Sequence, residues 1–192
     1  MTVKSIVYKI TSTILFFFIL TACSNDQFKQ EVQTLDSIVV QLDASNQKIE
    51  TIDTLELQQI FNEIVENLKH IQNNPPADSI SKEEAKFLTN YAKQRKTIIN
   101  YLSNRPQIKK EIEFSLLQCK NLQNDLKGNK LDLTLGQEYF LREKTAANII
   151  ISHISETEVD INFLLNNYKN KKDSLELFYL EHQIKPLNFE EN

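Results

Sequence analysis

The chain has 192 residues, 25% of them charged, with a formal net charge of -4 and two cysteines. Its only glycines, Gly128 and Gly136, leave no Rossmann fingerprint, phosphate-cradling loop or nucleophile elbow, because each needs glycines at fixed spacings for tight turns. The mild acidity argues against nucleic acid as a partner, since phosphate binding needs a net or clustered basic surface.

Lys4 and Lys9 precede a short apolar segment whose core is Ile14 to Leu20 and which closes on Thr21, Ala22 and Cys23. That run falls short of the roughly 20 residues needed to span a bilayer and matches the length of a secretory h-region. Leu20-Thr21-Ala22-Cys23 resembles, position by position, the lipobox of bacterial lipoprotein precursors, a resemblance confined to residues 1–23. It implies removal of residues 1–22, a diacylglycerol on the Cys23 thiol, an acylated new amino terminus and a mature chain of residues 23–192 on a membrane of the cell envelope. Two or more acyl chains make such attachment stable, whereas one gives only marginal binding. Ser24 after the cysteine resembles outer-membrane rather than inner-membrane sorting. Loss of Lys4 and Lys9 leaves 20 basic against 26 acidic side chains, a net of -6. With Cys23 lipidated, Cys119 has no partner for an internal disulfide.

The mature chain is expected to be all-α. Phe28, Val32, Leu35, Val39, Leu42, polar Asn46 and Ile49 form a heptad seam. After Ile52 and Asp53 the seam restarts as Leu57, Phe61, Ile64, Leu68 and Ile71, until Asn73-Asn74-Pro75-Pro76 stops it. Ser81 and Glu84 have capping-box spacing ahead of Leu88, Tyr91, Arg95, Ile98 and Leu102, and Arg105-Pro106 is read as the end of that segment. From Pro106 a fourth segment runs through Ile108, Ile112, Ser115, Cys119, Leu122 and Leu126 to Gly128, a natural stop. Thr134-Leu135-Gly136-Gln137 is a second capping-box candidate, and no proline or glycine follows until Pro186.

Segments 52–73, 82–103, 107–127 and 135–157 each have about 22 residues, roughly 33 Å at 1.5 Å per residue, and suit an antiparallel four-helix bundle with short loops. The matched outer segments 28–50 and 160–183 then form a two-helix coiled-coil stalk lifting a head of residues 52–158 off the membrane. The alternative breaks the chain near Ala44-Ser45-Asn46 and Asn170–Asp173 and folds both outer segments back into a compact five- or six-helix bundle.

Polar residues on an inward seam are the informative ones. Arg95 lies in the third segment's stripe and Glu143 in register with Phe140, Ala147 and Ile150, at similar heights in the head. With Tyr91, Ser115 and Cys119 they form a candidate buried polar layer, either a small-ligand pocket or an ion pair that fixes helix register. No Glu-x-x-His for a bundle di-metal site occurs, and no catalytic constellation or cofactor motif is recognised. Cys119 reads as a small buried hydrophobe. Residues 82–110 carry eight basic side chains against Glu83 and Glu84, and the turn expected at Arg105 would point this charge back at the membrane. The functional expectation is a non-enzymatic envelope lipoprotein, held by its lipid, with a structural or protein-interaction role; the alternative is a ligand-binding lipoprotein that uses the polar layer.

Overall fold

The computed structural model describes residues 27–187, so the lipobox and Cys23 lie outside the described residues. Within them the protein is all-α, as expected, with four helices in a bundle-like arrangement: α1 (Lys29–Thr51), α2 (Thr54–Asn73), α3 (Lys82–Lys127) and α4 (Leu133–Glu181).

The helix ends follow local chemistry. Asp53 breaks α1 from α2: Ile52 and Asp53 take extended backbone, and the Asp53 carboxylate accepts from the amides of Leu55 and Glu56. The capping box at Ser81 and Glu84 forms in full. Gly128 caps α3, but the left-handed φ of 48° falls on Asn129, a residue type that tolerates it. At α4 the cap is Asp132 rather than Thr134, its carboxylate accepting from Leu135.

Gly136 therefore lies inside the first turn of α4, where it serves packing. A Cβ there would lie 2.5 Å from the Phe28 ring, so the missing side chain lets the start of α1 close onto α4.

One expected break is absent: α3 runs for 46 residues straight through Pro106, while α4 runs for 49 without interruption, as the lack of proline and glycine between Gly136 and Pro186 leads one to expect. Proline in a helix interior removes one hydrogen bond and crowds the carbonyl four residues back, at about 3 kcal/mol or more. Here Pro106 is exposed on the solvent side, while Tyr101, Ile108 and Ile112 bury the opposite face on both sides of it. Tertiary packing overrides the local signal.

Continuous long helices change the pairing. α1 lies antiparallel to the second half of α3: the Gln123 side chain donates to Asp36 at 2.6 Å near one end, and the Tyr101 hydroxyl reaches the Ile49 carbonyl near the other. It also runs parallel to the first half of α4, from Phe28 against Gly136 to the Lys48–Glu158 ion pair at 2.6 Å. α2 continues the same track, antiparallel to the first half of α3 through Asn67 and Tyr91, and alongside the second half of α4 through Glu63 and Tyr168. The result is a rod of about 74 Å, from the 49 residues of α4 at 1.5 Å each, with three helices abreast at each level.

The stalk and head are corrected accordingly. Segment 28–50 packs on α3 and the first half of α4, not on 160–183, and a head cut at 52–158 would strip α2 of its α4 partner. The physical reason is visible in α1, where Leu35, Ile38, Leu42, Ser45 and Ile49 are buried and Val39 and Asn46 are half-buried. A stripe that wide serves two neighbours, where a coiled-coil seam serves one. The compact alternative fails too, because 44–46 and 170–173 are helical.

Two apolar clusters fill the rod. One gathers Phe28, Leu35, Ile38, Leu42, Cys119 and Ala147 beside the α3–α4 turn; the other runs from Ile49 to Ile184 and holds Tyr91, Tyr101, Tyr168 and Tyr179. Leu116 and Ile150 pack against both.

Candidate functional site

The expected polar layer divides between these clusters. Tyr91, 1% exposed, belongs to the tyrosine-rich one, whereas Ser115 and Cys119 lie in the other half of the rod. Glu143 is near Cys119, for its charge adds to burial in pushing the thiol up, and its carboxylate pairs with Arg142 at 3.1 Å. A buried thiol so shifted is a poor nucleophile, because reactivity belongs to the thiolate.

Arg95 meets none of these groups. It is exposed, and its side chain bonds only the Ala92 carbonyl one turn back. The expected Arg95–Glu143 pair is thus not formed, for two reasons. The buried stripe steps Tyr91, Gln94, Ile98, Tyr101, so the core position is Gln94. The continuity of α3 through Pro106 also places Arg95 and Glu143 in different halves. Arg105 likewise lies mid-helix, bonded to Glu50 at 2.8 Å together with Lys109, and the turn expected there is absent.

A different network ties three helices. The Asn67 amide donates to the Tyr91 hydroxyl at 3.2 Å, and the Tyr179 hydroxyl donates to the Asn67 side-chain oxygen at 2.9 Å. The Tyr168 hydroxyl donates to Glu63 at 2.7 Å, and Lys172 reaches the same carboxylate oxygen at 3.4 Å. Burial raises the phenols of Tyr91, Tyr168 and Tyr179, and for Tyr168 the bond to Glu63 adds to it, so all three stay protonated. Asn67 occupies the core step Leu57, Ile60, Ile64, Asn67. Reading the α2 seam as three-four from Leu57, in place of four-three, would have found it.

Beyond this network, His182 meets Glu84 at 2.6 Å and packs its ring, tilted by 52°, on Phe178 with centroids 4.6 Å apart, closing the far end of the rod. Glu84 is lowered to about 2, first by the Ser81 backbone amide, then by the Ser81 hydroxyl and His182. Among the described residues no three of His, Cys, Asp and Glu converge as a metal site.

The outer junction of α3 and α4 forms an open groove. One part, about 280 Å³, is bounded by Asn100, Asn104, His153 and Thr157 over a floor of Tyr101 and Ile161. The next, about 500 Å³, is bounded by Asn90, Lys93, Phe163, Asn167 and Lys171, and both parts share Thr97 and Asp160. Gln94 lies in its wall, 6% exposed, with its side-chain oxygen buried and without a hydrogen-bond partner. Gln94 does not stand out in sequence, since only the third dimension brings the two helices together there. No protein-family model, curated protein or solved structure matches this chain.

Proposed function

We propose that the protein is a non-enzymatic lipoprotein of the cell envelope, held at Cys23 and presenting its rod to another envelope protein. The observation that carries this reading is the lipobox followed, five residues after Cys23, by Phe28, which packs at the α3–α4 turn. An anchor there meets the rod at one end, and the α2–α3 loop and residues 182–187 lie at the other. No described helix is long and apolar enough to cross a membrane. Phe114, Leu117, Leu141 and Ile149 are more than half exposed in the half nearer the anchor, apolar contacts of the kind a protein partner would cover.

Mass spectrometry of the mature amino terminus tests the anchor. The expected finding is an acylated Cys23, with Cys23→Ala releasing the protein from membranes. An intact Met1 terminus, or equal membrane retention of the substituted protein, contradicts it. Cross-linking and pull-down from detergent-solubilised membranes then tests for the protein partner.

A further inference from the structure

The α3–α4 groove holds features that the anchor and the core leave unused. Buried polar groups are as a rule hydrogen-bonded, yet the Gln94 oxygen is buried with no partner in the groove wall. On one rim Lys171 is half-buried and on the other Lys93 is exposed, and among the described residues neither makes an ion pair. Burial pushes the Lys171 amine down, as expected of an ammonium without a compensating anion. This end of the groove thus offers two cations against the single carboxylate of Asp160, and a buried carboxamide oxygen that seeks a donor.

The remaining rim consists mostly of short groups that both donate and accept. Asn90, Thr97, Asn100, Asn104, Thr157 and Asn167 present carboxamides and hydroxyls along about 21 Å of α3, from Asn90 to Asn104 at 1.5 Å per residue. Phe163, 67% exposed, adds one apolar plate on the wall. A partner helix would satisfy its own backbone and would seek apolar anchor pockets. An elongated ligand rich in hydroxyls fits this rim better, and the lysines select one carrying a negative charge.

We propose that this groove binds an acidic oligosaccharide, its carboxylate between Lys93 and Lys171 and a hydroxyl donating to the Gln94 oxygen. The site lies in the middle and far part of the rod, away from the α3–α4 turn, so a chain held by its lipid would keep it open to the envelope space. Binding by the groove does not depend on the anchor, and the test below can fail without touching the lipoprotein reading.

Titration calorimetry of the protein with tetragalacturonate, neutral maltotetraose and a decaglutamate peptide decides it. The expected result is saturable binding of tetragalacturonate, at least tenfold weaker binding of maltotetraose, and no binding of the peptide. Lys171→Met and Gln94→Leu should each weaken tetragalacturonate about tenfold, with unchanged helical circular dichroism showing that the fold is kept. Asn167→Ala, on the rim and outside the core, supplies a third variant should either of these fail to fold. Absence of tetragalacturonate binding, equal binding of the neutral sugar, preference for the peptide, or full affinity in the folded variants would overturn the proposal.

Discussion

The two halves of the rod are stabilised by different means. Beside the α3–α4 turn the core is aliphatic, with Leu35, Leu42, Cys119 and Ala147 fully buried and Gly136 removing a side chain so that Phe28 can close in. Contact there is non-directional, and the helices approach as far as volume allows. In the far half four tyrosines enter the core, and Asn67, Tyr91 and Tyr179 bond across α2, α3 and α4. Directional bonds fix which turn of one helix faces which turn of the next. These bonds tie the short helix α2 to α3 and α4, each of which spans both halves.

The largest effect expected from this contrast is at Asn67. Asn67→Leu has similar volume but takes the carboxamide away from the buried Tyr91 and Tyr179 hydroxyls, leaving Tyr179 only the residue 67 carbonyl at 3.5 Å, at about 1–3 kcal/mol for each hydroxyl left unsatisfied. Urea denaturation should show that loss, and Tyr91→Phe or Tyr179→Phe in the Asn67→Leu background should recover part of it. Simple additivity of the substitutions would mean that the network carries no coupling.

A smaller effect is expected in the other half at Gly136. Gly136→Ala gains about 1 kcal/mol of helix propensity but drives a methyl into the Phe28 ring, and overpacking costs about 1–3 kcal/mol. The net should be a modest loss in thermal stability. Phe28→Leu should reverse its sign, because the methyl then has room.

The smallest effect is the acid sensitivity of the far end. Glu84 is held at about 2 in the folded chain against an ordinary 4.5. A carboxyl lowered on folding stabilises above its unfolded value and loses that contribution as pH falls from about 4.5 toward 2. Stability measured across that window should fall less steeply in Glu84→Gln than in the parent. Hydrogen exchange at acid pH should report the change near Ser81 and His182, not near Phe28.

Much of the fold was legible in the sequence, and the reasons for the rest are specific. Helical periodicity, the Ser81 capping box, the stop at Gly128 and the break at Ile52 and Asp53 are local effects of a few neighbouring residues, and each stands in the structure. Pro106 misled because its cost is local, while the packing of Tyr101, Ile108 and Ile112 that outweighs it is tertiary. That single reading split α3, set four equal segments, and so placed Arg95 level with Glu143. The candidate layer was half legible: Tyr91, Ser115 and Cys119 are buried, but they lie in two places, and Gln94 takes the core position assigned to Arg95. The groove was invisible, since it depends on which faces of α3 and α4 are left uncovered.

The central claim is that α1 lies beside the α3–α4 turn, parallel to the start of α4, and not against the end of α4. Spin labels at Gln33 and Glu176, both exposed, test it most directly in the chain with its native thiols replaced. Phe28 on Gly136 and Lys48 on Glu158 set Gln33 level with the first turns of α4. Pulsed dipolar measurement should therefore give a separation of about 50 Å at 1.5 Å per residue. A narrow distribution at a small fraction of that distance would place segment 28–50 against 160–183 and contradict the three-abreast rod.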